Sequence, residues 1–218
     1  MKHKDDITVC FQSRLESERI PNKMLEPFAG TTLFDLALAR LEMVDAPNKF
    51  VSCRGWELEQ RASKFSLPIF ERSEQSALEE ECLATMFEWC REYVQTEWVA
   101  WFNPCLPMLK VTAINDFLTD FMACEDDGML AAVETKNYFF EESGEPVAAG
   151  SETLNTKTAP ILYRAAHAIY ATRTEDIKAG RLFRVPPKLW PMRDDEQLID
   201  IDWPWQFRMA EVYFEAQC

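Results

Sequence analysis

Apolar residues follow two rhythms along this chain. Short continuous runs, Ile7-Thr8-Val9-Cys10-Phe11 first among them, alternate with longer stretches where apolar positions recur every three or four residues. A continuous run bounded by polar residues predicts a strand buried on both faces, and the three-four spacing predicts an amphipathic helix. On this basis strands fall over 7–11, 49–53, 67–72, 98–102 and 129–134. Helices fall over 31–43, 56–65, 76–94 and 111–124, the first with Leu33, Phe34, Leu36, Ala37, Leu38 and Leu41 at helical spacing. The alternating order predicts right-handed crossovers and a mostly parallel sheet covered by helices on both faces, a three-layer α/β/α arrangement.

The rhythm breaks over 137–160, which holds Gly144, Pro146, Gly150, Asn155 and Pro160 behind the aromatic group Tyr138, Phe139 and Phe140. A long excursion of this kind serves as a lid, a binding loop or an oligomerisation arm. Strands resume over 167–171 and 181–185. A last strand over 198–202 leads into a helix over 203–216. With no internal repeat, 1–218 reads as one domain.

Composition narrows the partners. The 218 residues carry a formal net charge of -14, which argues against nucleic acid or an anionic membrane, since both need a basic face. No apolar run approaches the ~20 residues that span a bilayer, and the opening Met1-Lys2-His3-Lys4-Asp5-Asp6 lacks a signal-peptide apolar core. A cytoplasmic location is the expectation. Seven cysteines without a Cys-x-x-Cys pair argue against a disulfide framework and a zinc site. Only His3 and His167 are present, so catalysis has to rest on carboxylates, cations and a bound metal.

Within this acidic chain, positive charge gathers in Ser13-Arg14-Leu15-Glu16-Ser17-Glu18-Arg19-Ile20-Pro21-Asn22-Lys23, directly after the first strand. Open α/β sheets bind ligands at the C-terminal ends of their strands, and the following helix, starting near Thr31, offers backbone N–H donors to the same edge. Arg14, Arg19 and Lys23 suit a polyphosphate, the arginines as bidentate donors and the lysine as a point charge. The competing reading is a solvated loop whose cations pair with Glu16 and Glu18. Asp200-Ile201-Asp202 is the second candidate. Alternation sends both carboxylates to one side, where their mutual repulsion is relieved by a hard divalent cation; alternatively Asp202 caps the helix that follows. Arg72, closing the 67–72 strand, lies on the edge where a base or phosphate would sit, or else serves in a surface salt bridge.

Taken together, these residues resemble the cytidylyltransferases that activate acidic sugars, the CMP-sialic acid synthetase family. The block Arg14-x-x-Ser17-x-Arg19-Ile20-Pro21-x-Lys23-x-Leu25 is similar to that family's CTP-binding loop, and Ile199-Asp200-Ile201-Asp202 with Ala210-Glu211 to its C-terminal signature. Asn103-Pro104-Cys105-Leu106-Pro107 stands at the family's nucleotide-contacting turn. The segment from Asn155-Thr156-Lys157 through Ile161-Leu162-Tyr163-Arg164 to Ala168-Ile169-Tyr170 looks like its sugar-binding part.

The resemblance implies a Rossmann-like nucleotide-diphospho-sugar transferase sheet and a Mg²⁺-dependent reaction of CTP with a 2-keto-3-deoxy acid sugar, yielding CMP-sugar and pyrophosphate. It assigns Arg14, Ser17, Arg19, Lys23, Arg72 and Asn103 to the nucleotide. It assigns Lys157, Arg164 and Tyr170 to the sugar and Asp200 and Asp202 to Mg²⁺. Arg14, Lys23 and Asp202 are the catalytic set. A homodimer in which 137–160 reaches the partner is implied as well.

Several positions depart from the family pattern. Glu18 stands where relatives often carry Lys, and Met24 where they carry Asn. Ser52-Cys53-Arg54 lacks a usual Asp, and Asn103, Cys105 and Leu109 alter the nucleotide turn. Ala166-His167 replaces a frequent Asn-Gly. Two further readings therefore stand beside the enzyme: a degenerate member that binds a nucleotide or a protein without turnover, and a transferase with another nucleotide or sugar.

Overall fold

The computed structural model describes residues 2–78, 82–147, 156–192 and 195–217. Its centre is a seven-stranded sheet built from β1 (Ile7–Arg14), β4 (Asn48–Arg54), β5 (Ile69–Glu71), β6 (Trp98–Phe102), β7 (Gly128–Lys136), β8 (Ile161–Arg173) and β9 (Lys188–Pro191), in the order β5-β4-β1-β6-β8-β7-β9. β5, β4, β1 and β6 run parallel, β8 is antiparallel to both β6 and β7, and β9 is parallel to β7. The sheet is mostly parallel, with one reversed strand. A two-stranded ribbon, β2 (Pro27–Phe28) with β3 (Thr31–Thr32), leads into α1 (Leu33–Met43).

Two cores lie on opposite faces of the sheet, as the continuous apolar strands require. On one side Phe11 meets Phe34 of α1 at 5.7 Å and Phe102 at 5.4 Å between ring centroids. The same side receives the apolar faces of α6 (Val111–Ala123) and α8 (Pro204–Glu215) through residues such as Phe117, Phe121 and Phe207. On the other, Cys10, Phe50 and Val99 pack against Trp89 of α5 (Glu88–Glu92) and Ile177 of α7 (Thr174–Lys178). The Trp89 indole N–H donates to Gln12 Oε1 at 3.1 Å, which satisfies a polar group inside this second core. Among the described residues no helix is long and apolar enough to cross a membrane.

Four expected elements differ. The helix over 76–94 is three short pieces, α3 (Glu74–Leu78), α4 (Leu83–Met86) and α5, because Cys82 adopts an extended backbone and Phe87 leaves helical geometry. The buried Arg72 guanidinium draws the Ser76 and Met86 carbonyls to itself at 2.6 and 3.4 Å, taking both out of the reach of a continuous helix. No strand forms over 181–185. There Arg181 reaches Asp176 at 3.0 Å and Arg184 reaches Asp127 at 2.8 Å, and Pro186-Pro187 delay the final strand until Lys188. The 167–171 strand is the inner part of the 13-residue β8. Residues 198–202 are no strand either: a 3₁₀ turn (Asp195–Leu198) gives way to an irregular segment tied to the β6 end by Ile201 N–H donating to the Cys105 carbonyl at 3.1 Å.

Of the 137–160 excursion, 137–147 and 156–160 lie within the described residues; 148–155, including Asn155, lie outside them. Phe139, Phe140 and Val147 are exposed on it, as are Ile161 and Tyr163 of β8.

Candidate active site

The order β5-β4-β1-β6 has a reversal between β1 and β6: the chain first winds outward through β4 and β5, then returns to lay β6 on the other side of β1. Strand C-termini at such a switch point leave a crevice for ligands. The loop leaving β1 is pinned there by Ile20 and Met24, both buried, with turn hydrogen bonds from Lys23 N–H to Ile20 O and from Leu25 N–H to Asn22 O. Asn22 takes the left-handed region at φ 53, a conformation asparagine tolerates better than most residues. With these anchors set, Arg19 and Lys23 turn to the closing segment. Arg19 Nη2 pairs with Asp202 Oδ1 at 2.9 Å, and Lys23 Nζ lies 3.7 Å from the same oxygen. Lys23 also donates to the Ile201 carbonyl at 2.6 Å, and the Arg19 guanidinium lies 5.3 Å from the centroid of the Trp203 ring.

The end of β6 contributes Asn103. Its side-chain carbonyl accepts from Cys105 N–H at 2.9 Å, closing the turn, and its amide nitrogen donates to Asp200 Oδ2 at 3.1 Å. Burial pushes the Asp200 carboxyl above the usual carboxylate range, and the charge of Asp202 adds to this, while Lys23, Asn103 and His167 pull the other way. The two carboxylates feel each other, as the sequence spacing implies. Asp202 is not the side-chain cap of α8; that end is closed by Gln206, whose side-chain oxygen accepts from the N–H groups of Asp202 and Trp203 at 2.8 and 2.7 Å.

From β8 come Tyr170 and His167. Tyr170 stacks on Trp101 with centroids 5.1 Å apart and planes 4° from parallel, and its hydroxyl is hydrogen-bonded to His167 Nδ1 at 2.7 Å. Burial, with Asp200 nearby, pushes the phenol up to about 12, so the hydroxyl keeps its proton at neutral pH. His167 has φ 52, a left-handed backbone that costs a non-glycine residue on the order of 1 kcal/mol. It occupies a wide bulge in which residues 166–169 of β8 stand opposite Ala131 alone. Strain of this kind is often found at active sites, which makes His167, bonded to Tyr170, a candidate site residue. The sequence reading noted His167 only as a departure; the bulge that swings it toward Asp200 has no local sequence signal.

The structure thus brings Arg19, Lys23, Asn103, Tyr170, Asp200 and Asp202 together. Arg14 closes β1, its guanidinium donating to the Ala77 carbonyl near Arg72, and Ser17 follows, its N–H bonded to the Leu15 carbonyl. Arg72 is placed differently from the expected exposed edge. It is 4 % exposed, donating to Ser76 Oγ at 3.2 Å as well as to the two carbonyls above, and burial beside Arg14 lowers its guanidinium to about 10. It ties Ser76 to Met86 rather than reaching outward. Lys157 lies in a 3₁₀ turn (Thr156–Thr158), and Arg164 is exposed in register with Val133 on the outer part of β8; the described contacts do not join Arg164 to the Asp200–Asp202 cluster. Two early amides of α1 are already engaged, Asp35 N–H by Thr32 Oγ1 at 3.1 Å and Phe34 N–H by the Met24 carbonyl at 3.1 Å.

Comparison with known proteins bears on the fold and the family. No curated protein sequence matches the chain significantly. Among solved structures, CMP:2-keto-3-deoxy-manno-octonic acid synthetase complexed with CTP superposes with a TM-score of 0.73 at 11% identity, over 97% of this chain and 99% of that one. The 4-diphosphocytidyl-2C-methyl-D-erythritol synthase of Anaerococcus prevotii gives 0.68 at 11% identity, over 97% and 100%. A cytidylyltransferase of Leptospira borgpetersenii gives 0.60 at 13%, over 94% and 85%. At these identities the likeness is one of fold. The family model for cytidylyltransferases matches residues 8–215, nearly the whole chain. With this match over nearly its whole length, and with its mostly parallel α/β sheet, this chain belongs to the cytidylyltransferase family of nucleotidyltransferases.

Proposed function

We propose that the protein transfers CMP from CTP to an acidic 2-keto-3-deoxy sugar of the sialic-acid kind, with Mg²⁺, releasing pyrophosphate. The observation that carries this reading is the meeting of Arg19 and Lys23 with Asp200 and Asp202 at the switch-point ends of β1 and β6. Two carboxylates, one of them raised by burial and by its neighbour, form a donor set that a hard divalent cation relieves. Two protein ligands with the remaining positions left to phosphate oxygens and water is the way Mg²⁺ is usually held. Bound there, Mg²⁺ would neutralise phosphate charge at the reacting centre.

The rest of the chemistry falls to the chain itself. Arg14, Ser17, Arg19 and Lys23 would hold the triphosphate and offset charge on the departing pyrophosphate. Asn103 would present the β6 turn to the nucleotide, and Arg72 would support the 72–86 wall from within. The acceptor's anomeric oxygen forms a bond to the α-phosphorus as the bond from that phosphorus to the β-bridging oxygen breaks. The acceptor hydroxyl gives up its proton, and pyrophosphate leaves. Positioning and charge neutralisation dominate such a reaction, which suits a site with a single histidine. Tyr170 and His167 would face the acceptor, with Lys157 and Arg164 completing its surroundings from the excursion side.

Isothermal calorimetry of CTP with Mg²⁺ tests the nucleotide half, and no binding at millimolar CTP would sink it. Pyrophosphate release across a panel of 2-keto-3-deoxy sugar acids tests the acceptor half. Because a neighbour of similar TM-score makes 4-diphosphocytidyl-2C-methyl-D-erythritol, the panel includes a polyol phosphate; activity with that acceptor alone replaces the acidic sugar, and CTP binding without any release favours a binding module. Asp202→Asn is expected to abolish release while leaving the circular dichroism spectrum unchanged. We further propose a homodimer in which a second copy covers exposed Phe139, Phe140, Ile161 and Tyr163. Light scattering should give twice the 25.3 kDa chain mass.

A further inference from the structure

Asp202 faces two demands that compete. In the structure its Oδ1 serves Arg19 at 2.9 Å and Lys23 at 3.7 Å, and Arg19 is held from a second side by the Trp203 ring. Asp200 differs: among the described residues its side-chain partner is the neutral amide of Asn103. The pair is therefore lopsided: among the described residues one carboxylate is in ion-pair contact with two cations, and the other is hydrogen-bonded to a neutral amide. A carboxylate oxygen already matched to a guanidinium is a poor ligand for a divalent ion, because the guanidinium must leave and otherwise repels the incoming charge.

We infer that Arg19 is a positioning residue that keeps Asp202 from the metal until a polyphosphate arrives. The inference rests on the nucleotide and metal reading above. The phosphates compete for Arg19 and Lys23, whose guanidinium and ammonium groups bind phosphate as readily as carboxylate. Asp202 Oδ1 is then released to act with Asp200 as a hard-oxygen ligand. Metal and nucleotide become linked ligands, each strengthening the other by one and the same factor. Lys23 has a second anchor in a hydrogen bond to the Ile201 carbonyl at 2.6 Å, whereas the second contact of Arg19 is with the face of the Trp203 ring at 5.3 Å, so Arg19 is the partner more readily exchanged. It is also the more exposed of the two, its side chain 48% accessible against 13% for Lys23.

The test is the affinity for Mn²⁺, used as a paramagnetic probe, measured by electron spin resonance of the free ion with and without CTP. In the unmodified protein CTP should tighten Mn²⁺ binding by roughly five- to 150-fold, the span of ordinary binding couplings. Arg19→Gln should tighten binding of Mn²⁺ alone by about two- to fivefold, the factor set by breaking a partly exposed ion pair, and should shrink the CTP-dependent gain. Arg54, at the neighbouring end of β4 and paired with Glu74 at 3.7 Å, has no assigned part in the site; Arg54→Gln removes an equal charge from the same sheet edge without touching Asp202, and should leave the affinity for Mn²⁺ alone unchanged. If Arg19→Gln binds Mn²⁺ alone no better than the unmodified protein, or if Arg54→Gln gives the same gain, the partner exchange is overturned while the CTP and metal reading stands. If the unmodified protein binds no Mn²⁺ even with CTP, the underlying reading falls first.

Discussion

Lys23 donates a 2.6 Å hydrogen bond to the carbonyl of Ile201, 178 residues further along the chain. That single contact joins the loop after the first strand to the segment that carries both site carboxylates, and the Lys23 side chain is only 13% exposed. Lys23→Met should therefore cost about 1–3 kcal/mol of folding stability, the range for stranding a buried acceptor and losing a charged donor. The same variant should weaken CTP binding. Urea unfolding and calorimetry read the two effects separately, and a stable variant with unaltered CTP affinity would remove Lys23 from the site.

Arg72 is expected to behave as an internal brace. Arg72→Met leaves the Ser76 and Met86 carbonyls without their donor and should destabilise the protein by about 2–4 kcal/mol. Arg72→Lys should recover little, because one ammonium cannot span two carbonyls and a hydroxyl as the planar fork does. A thermal melt of both variants decides the matter; wild-type melting in Arg72→Met would place this residue outside the packing that holds α3 and α4.

His167 separates strain from function. Its φ of 52 suits glycine, so His167→Gly trades the lost Tyr170 hydrogen bond against relieved backbone strain and should leave stability within about 1 kcal/mol of the parent. The efficiency with which the acceptor is used should nonetheless fall, appearing in its KM while the KM for CTP holds. An unchanged acceptor KM would make the histidine a bystander.

Asp127 gives the pH dependence. Hydrogen bonds from Arg184 and then Arg173 hold its carboxyl below the usual value near 3.8, against a smaller desolvation effect. A carboxyl with a lowered folded-state pKa stabilises above its unfolded value and loses that contribution as pH falls through the folded one. Asp127→Asn should thus destabilise at pH 7 by roughly 1 kcal/mol or less, as expected of partly exposed pairs. The difference from the parent should vanish well below pH 3.8. Urea midpoints at neutral and acid pH measure it, and a difference that persists in acid would contradict the charge-based origin.

Much of the sheet is legible in the chain because its strands are buried on both faces. The run at Trp98 is apolar throughout and that at Ile7 is interrupted only by the buried Thr8, so continuity identifies both. The cationic loop and the Asp200–Asp202 spacing are likewise visible locally. What hides is non-local. The break in the 76–94 helix depends on a guanidinium that enters from β5's end, and nothing in the helical periodicity announces it. The 181–185 segment has the apolar content of a strand, yet its arginines are claimed by Asp176 and Asp127, and Phe183 fills the space left by Gly128, where a Cβ would lie 2.5 Å from its ring. His167 reaches the site only because β8 bulges against β7, a register event decided between two strands.

The distance in sequence between the cationic loop and the carboxylates also sets a timetable. The loop is synthesised well before Asp200 and Asp202, whose segment is fastened by Asn103, Cys105 and Lys23. A chain stalled or clipped ahead of residue 200 holds every strand of the sheet and both basic side chains, but no acid from that segment to meet them. Synthesis as far as residue 202 thereby becomes a condition of a finished site, and a copy cut short of it is left with positive charge where the longer chain has a balanced pair.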